Sequence, residues 1–200
     1  SRRGSPGMRL QTFCEDTFEF RVLVDAIATY DYVELPDQPV IAIVPGPPAK
    51  WVAVLPTLLE AGAPFSLRLK GEDRWGNPSD SCNRTFRLKA SHPVDGLPET
   101  VSFTAGVLAC TIDNLSASET DHLTIDLVST DLRDDKTVAA RSNPMRVLAS
   151  KPCTALWGDL HGQSEETIGT NTARDYFTFG RDLAFLDVLG HQGNDFQITA

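Results

Sequence analysis

Between residues 50 and 149 the chain is cut into short apolar runs that alternate residue by residue and leave little room for a helix. Phe65, Leu67 and Leu69 alternate with Ser66, Arg68 and Lys70, and Phe86 and Leu88 sit between Thr85, Arg87 and Lys89. Successive side chains of a strand point to opposite faces, so each such run is a strand with one buried face. Further runs lie at 51–55, 101–103, 107–112, 123–128, 138–140 and 145–148. They recur at roughly 10 to 15 residues with polar turns between them, which predicts a seven-strand antiparallel sandwich. We place this domain at residues 46–150.

Two segments precede it. Residues 1–15 read as a tail, opening on Ser-Arg-Arg-Gly-Ser-Pro-Gly. Residues 16–45 read as an N-terminal β segment. Phe18, Phe20, Val22 and Val24 alternate with Glu19, Arg21, Leu23 and Asp25, and a second apolar run covers 39–44. Pro45-Gly46-Pro47-Pro48 ends it as a stiff linker.

The chain is 41% hydrophobic and 22% charged, enough to bury a core. A net charge of -9 argues against nonspecific nucleic-acid binding, which needs clustered Lys and Arg to neutralise phosphates. No apolar run approaches about 18 residues, so no membrane partner is expected, and no apolar signal core follows the N-terminal arginines. The cytoplasm is the expected compartment. Cys14, Cys82, Cys110 and Cys153 form no Cys-x-x-Cys pair. Cys110 and Cys153 lie in apolar runs, where buried reduced thiols are expected. Asp73 and Asn77 flank a turn and are expected to hydrogen-bond its backbone rather than bind calcium or sugar. Trp75, between them, is expected to pack on the sheet. His92 and His122 lie in polar loops. There is no Ser-His-Asp order, no Gly-x-Ser-x-Gly and no phosphate-cradling glycine loop.

The chemistry concentrates in residues 151–200. A short apolar run at 154–160 is followed by a polar loop with two glycines at 162–170. Thr170 or Asn171 can cap a helix that starts just after them. Ala173, Tyr176, Phe177, Gly180 and Ala184 then recur at helical spacing, and 185–189 is a second apolar run too short for a helix. This is one βαβ unit, whose crossover makes the strands parallel. Parallel strands put their carboxyl ends on one side, where sites of α/β proteins form. His161 and His191 fall at those ends, with Gln163, Glu165, Glu166 and Asp195 on adjoining loops. Imidazole with carboxylate suits a divalent transition metal. Equally, each histidine can pack locally and bond a carbonyl. Acids outnumber bases here by seven to three, which suits a cation site and also a solvated acidic surface.

Asp159-Leu160-His161-Gly162-Gln163-Ser164 resembles the opening motif of the PHP (polymerase and histidinol phosphatase) superfamily, Asp-Leu-His-x-His-Ser or Thr. Leu186-Asp187-Val188-Leu189-Gly190-His191 looks like its second motif, a strand ending in Thr-Asp-His. This resemblance covers residues 153–200. The sandwich in turn resembles immunoglobulin-like bacterial modules, through residues 64–70 and the turn at 72–78. Over most of its length the chain is similar to an uncharacterised bacterial family in which a β-sandwich precedes a PHP-like domain. The resemblance implies that 151–200 begin a distorted (β/α)7 barrel, whose remainder would be the partner of this unit. It implies one to three divalent ions (Zn, Mn or Fe), held by His161, His191 and Gln163, and hydrolysis of a small phosphorylated substrate by metal-activated water. Glu165, Glu166 and Asp195 would ligate a metal or orient that water. Gln163 stands where the motif has its second histidine, and Gly190 where the second motif has Asp. The alternative is a binding or scaffolding protein whose barrel is a degenerate support. In a third reading the sandwich gates or completes the barrel pocket.

Overall fold

The structure, a computed structural model, describes residues 7–130 and 137–192. It is mainly β, with a single helix among the described residues. Four short strands come first: β1 (Glu15–Glu19), β2 (Leu23–Val24), β3 (Val33–Glu34) and β4 (Val40–Ile43). β1 pairs with β4 and β2 with β3, both antiparallel. The single half-buried strand expected across 18–24 is thus two strands, and most of their side chains are exposed. Alternation alone could not show that neither ladder has a core to face.

Eleven strands come next: β5 (Lys50–Val54), β6 (Leu58–Glu60), β7 (Phe65–Glu72), β8 (Arg84–Ala90), β9 (Val94–Asp95), β10 (Thr100–Phe103), β11 (Ala109–Ala117), β12 (Thr120–Leu123), β13 (Ile125–Ser129), β14 (Val138–Arg141) and β15 (Met145–Leu148). They make two four-stranded antiparallel sheets, ordered β5-β7-β11-β9 and β10-β8-β13-β14. A third, three-stranded sheet, β12-β15-β6, contains a parallel β6–β15 pair. β14 and β15 are parted at Ser142–Pro144, where the Asn143 side chain takes over the ladder's role. Its Oδ1 accepts from Leu55 N at 2.8 Å and its Nδ2 donates to Leu55 O at 2.9 Å.

The period-two residues meet between the sheets. Leu67 and Leu69 of β7 and Phe86 of β8 are fully buried, as are Ile125 and Leu127 of β13. Trp51, Phe86 and Phe103 make the aromatic centre, with Trp51 edge-on to Phe86 at 4.5 Å and 4.8 Å from Phe103. Burying each such ring stabilises the fold by ~1.5–3 kcal/mol.

The expected linker at 45–48 is tied down. Gly46 N donates to Asp73 Oδ2 at 3.1 Å and Gly46 O accepts from Ser79 Oγ at 2.7 Å. Asp73 Oδ1 also accepts from Trp75 N and Asn77 N, so Asp73 and Asn77 do hold their turn. Trp75 does not pack on the sheet: it is half exposed, and the Arg74 guanidinium lies 4.4 Å over its ring. All four cysteines are free thiols; of the two expected to be buried, Cys110 is only half-buried and Cys153 is exposed.

The chain closes with β16 (Gly158–Gly162), α1 (Ala173–Asp182) and β17 (Val188–His191). β16 and β17 pair in parallel. Both strands lie further along the chain than the apolar runs predict, because the ladder continues through the polar ends of those runs. The cap of α1 is Thr172, whose hydroxyl accepts from Asp175 N at 3.1 Å, rather than Thr170 or Asn171. No helix among the described residues is long and apolar enough to cross a membrane.

Candidate functional site

Glycine decides how α1 sits on the two-stranded sheet. A Cβ on Gly162 would lie 2.0 Å from the Cζ and hydroxyl of Tyr176, so the ring occupies the space a side chain would need. Tyr176 then donates its hydroxyl to Gly190 O at 3.1 Å, bridging helix to β17. Burial, together with the charge of Asp159, pushes its phenol up.

The loop between β16 and α1 is organised around Ser164, which is fully buried. Its carbonyl accepts from Thr167 N at 2.9 Å and Gly169 N at 2.8 Å. Its hydroxyl accepts from Glu166 N at 3.2 Å and pairs with His191 Nε2 at 2.8 Å. His191 is half-buried, with the rings of Tyr176 and Phe177 6.2 and 6.3 Å away. Its Nε2 is thus engaged in either tautomer, and a metal could take that nitrogen only by breaking the bond to Ser164.

His161 is placed differently. Gly162 opposes His191, and Asp159 opposes Leu189, so two residues of β16 face one of β17. Leu160 and His161 therefore both stand opposite Gly190, the one residue left between those pairs. Leu189 and His191 share a face by alternation. Leu189 meets Gly180 of α1, so that face is the helix side. Gly190, with Leu160 and His161 beside it, is turned away from the helix. Both Leu160 and His161 are exposed, and His161 N donates to Asp159 Oδ1 at 2.8 Å. The two histidines thus adjoin along the ladder but project to opposite faces.

The remaining candidates are also dispersed. Gln163 is half-buried, its Oε1 accepting from Thr167 Oγ1 at 2.9 Å. Glu165 and Glu166 are exposed, Glu165 N donating to Asn171 O at 2.8 Å. Asp195 lies outside the described residues. Among the described residues no three of His, Cys, Asp and Glu come together as a metal would require. Among the described residues, the candidate donors do not converge on one point.

Sequence reasoning missed Ser164, Thr167, Tyr176 and Gly162 as organisers of this loop. None carries a signal in the sequence: Gly162 reads as a loop residue, and only its place in β16 marks it as a point of close approach. An open cleft of about 620 Å³ lies elsewhere, between β7, β11 and the end of α1, and includes Arg68, Asp113, Arg181 and Phe185 but none of the motif residues. No protein-family model matches the chain, and no curated protein matches it.

Proposed function

We propose that the chain is part of a metal-dependent hydrolase of PHP type that cleaves a phosphate ester, with an immunoglobulin-like sandwich ahead of the hydrolase unit. The observation that carries this is the parallel β16–β17 pair joined through α1, with His161 and His191 at the carboxyl ends of adjoining strands. Sites of α/β barrels form on that side. Leu160, 65% exposed on the face away from α1, is the kind of residue that further barrel strands would cover. The strand order of the sandwich, with β5, β7 and β11 in one sheet and β8, β13 and β14 in the other, supports the immunoglobulin-like reading. Because the described donors do not converge, no catalytic step is assigned to them.

A second reading has its own observation. The bond between Ser164 and His191 Nε2 uses the second histidine to fasten a loop, as a degenerate, non-catalytic support would. Elemental analysis after incubation with excess zinc, manganese or iron separates the two. The hydrolase reading expects a stoichiometric ion that His161→Ala removes, and tighter binding in Gln163→His. A protein that stays free of metal under those conditions gives the lead to the scaffold.

A further inference from the structure

Phe185 lies in the middle of the connection between α1 and β17 and stands at φ +61°, a region that a residue with a Cβ disfavours. Hydrogen bonds on either side hold it there. Leu183 N and Ala184 N both donate to Phe179 O at 2.8 Å, and Leu186 N donates to Gly180 O at 2.9 Å. The ring is 5% exposed, yet it lies outside the core cluster of the sandwich. Its cover comes from the outer face of β7. The Lys70 ammonium lies 5.5 Å from the ring centroid, and Arg68 Nη1 donates to Phe185 O at 3.2 Å.

Lys70 is only 8% exposed, unusual for lysine, and its charge is met by Glu72 Oε1 at 2.9 Å. A half-desolvated ammonium over an aromatic face gains more than one in water. A second tie joins the same two bodies, Trp157 Nε1 donating to Thr57 Oγ1 at 2.6 Å.

We propose that the outer face of β7 is a docking socket for the Phe185 corner, and that the sandwich holds the β16–α1–β17 unit through it. Arg68 fixes the backbone of the corner, Lys70 takes the ring, and the turned backbone at 185 presents that ring to β7. The socket does not depend on whether the unit binds a metal.

Native-state hydrogen exchange on the full chain tests this with three variants. Phe185→Ala removes the ring and keeps the unfavourable φ. Phe185→Gly removes both. Arg68→Met keeps an apolar stem and loses the hydrogen bond. In both Phe185 variants the amides of α1 should exchange roughly tenfold faster or more, with β8 and β13 unchanged, because the core of the sandwich does not include residue 185. Arg68→Met should give a smaller acceleration in the same amides. Unchanged α1 exchange in both Phe185 variants, or slower exchange in Phe185→Gly, overturns the socket. So does equal acceleration of β8 and β13, which would make Phe185 part of the sandwich core.

Discussion

Asp73 shows how one carboxylate can organise a junction. Burial by itself would push its pKa up. Hydrogen bonds from the Asn77 side chain and from the N–H groups of Gly46, Trp75 and Asn77 outweigh that and hold it at about 2, against the usual 3.8. Since the folded pKa is the lower, Asp73 contributes stability that is complete above about pH 4 and is lost as pH falls toward 2. Asn77 passes the tie onward, donating to Thr12 O at 2.8 Å and accepting from Cys14 N at 3.1 Å. Replacing Asp73 with Asn removes the charge and sets an amide hydrogen against a donor, so the variant should lose ~1–3 kcal/mol at neutral pH. Urea titrations between pH 5 and 2 should also show a flatter acid dependence than wild type. An unchanged slope would mean that another carboxylate governs the acid limit. The turn role of Asp73 was legible in the sequence, because Asp and Asn at such positions bond their own backbone. Its grip on Gly46 was not, since nothing local brings residue 46 to residue 73.

At the scale of elements, legibility followed the physics of each periodicity. The longer strands of the sandwich could be read because burying one face writes period two into the residues, as in Phe65, Leu67 and Leu69; eleven strands nevertheless stand where seven were expected, because β6, β9 and β12 are too short to show a period. The order strand, helix, strand of the C-terminal unit could be read from two short apolar runs flanking a helical period, though both strands lie further along the chain than those runs. The faces of its histidines could not. One extra residue in β16 between Asp159 and Gly162 decides which face His161 takes, and pairing register is invisible in a single strand's sequence. Ser164 was hidden for a related reason: a serine in a polar loop carries no mark of being fully buried. Gly162 offers a direct test of how α1 is seated. Gly162→Ala puts a methyl where the Tyr176 ring lies, so it should cost ~1–3 kcal/mol of overpacking and loosen α1. Trimming the opposing ring in the double variant with Tyr176→Leu should recover part of that loss, which a double-mutant cycle reads as coupling between the two sites. Strictly additive losses would show that the helix does not rest on Gly162.

For the whole molecule, the distribution of buried residues sets what can fold alone. Every member of the hydrophobic core cluster lies between Trp51 and Val147. From Cys153 to Gln192, by contrast, only Gly162, Ser164, Gly180 and Phe185 are buried, and Phe185 is covered from the sandwich side. A two-stranded sheet under one helix buries too little apolar area to offset the entropy of ordering its chain. The dependence should therefore run one way. A chain ending at Ser150 should keep the near-ultraviolet signal of its Trp51–Phe86–Phe103 cluster and unfold cooperatively in urea, with a midpoint close to that of the sandwich in the full chain. Residues 151–200 alone should show neither helical circular dichroism nor protected amides. If that segment folded by itself, the sandwich would be a neighbour of the C-terminal unit rather than its support. If the shortened chain lost cooperative unfolding, the dependence would be mutual, and the two parts would share one folding transition.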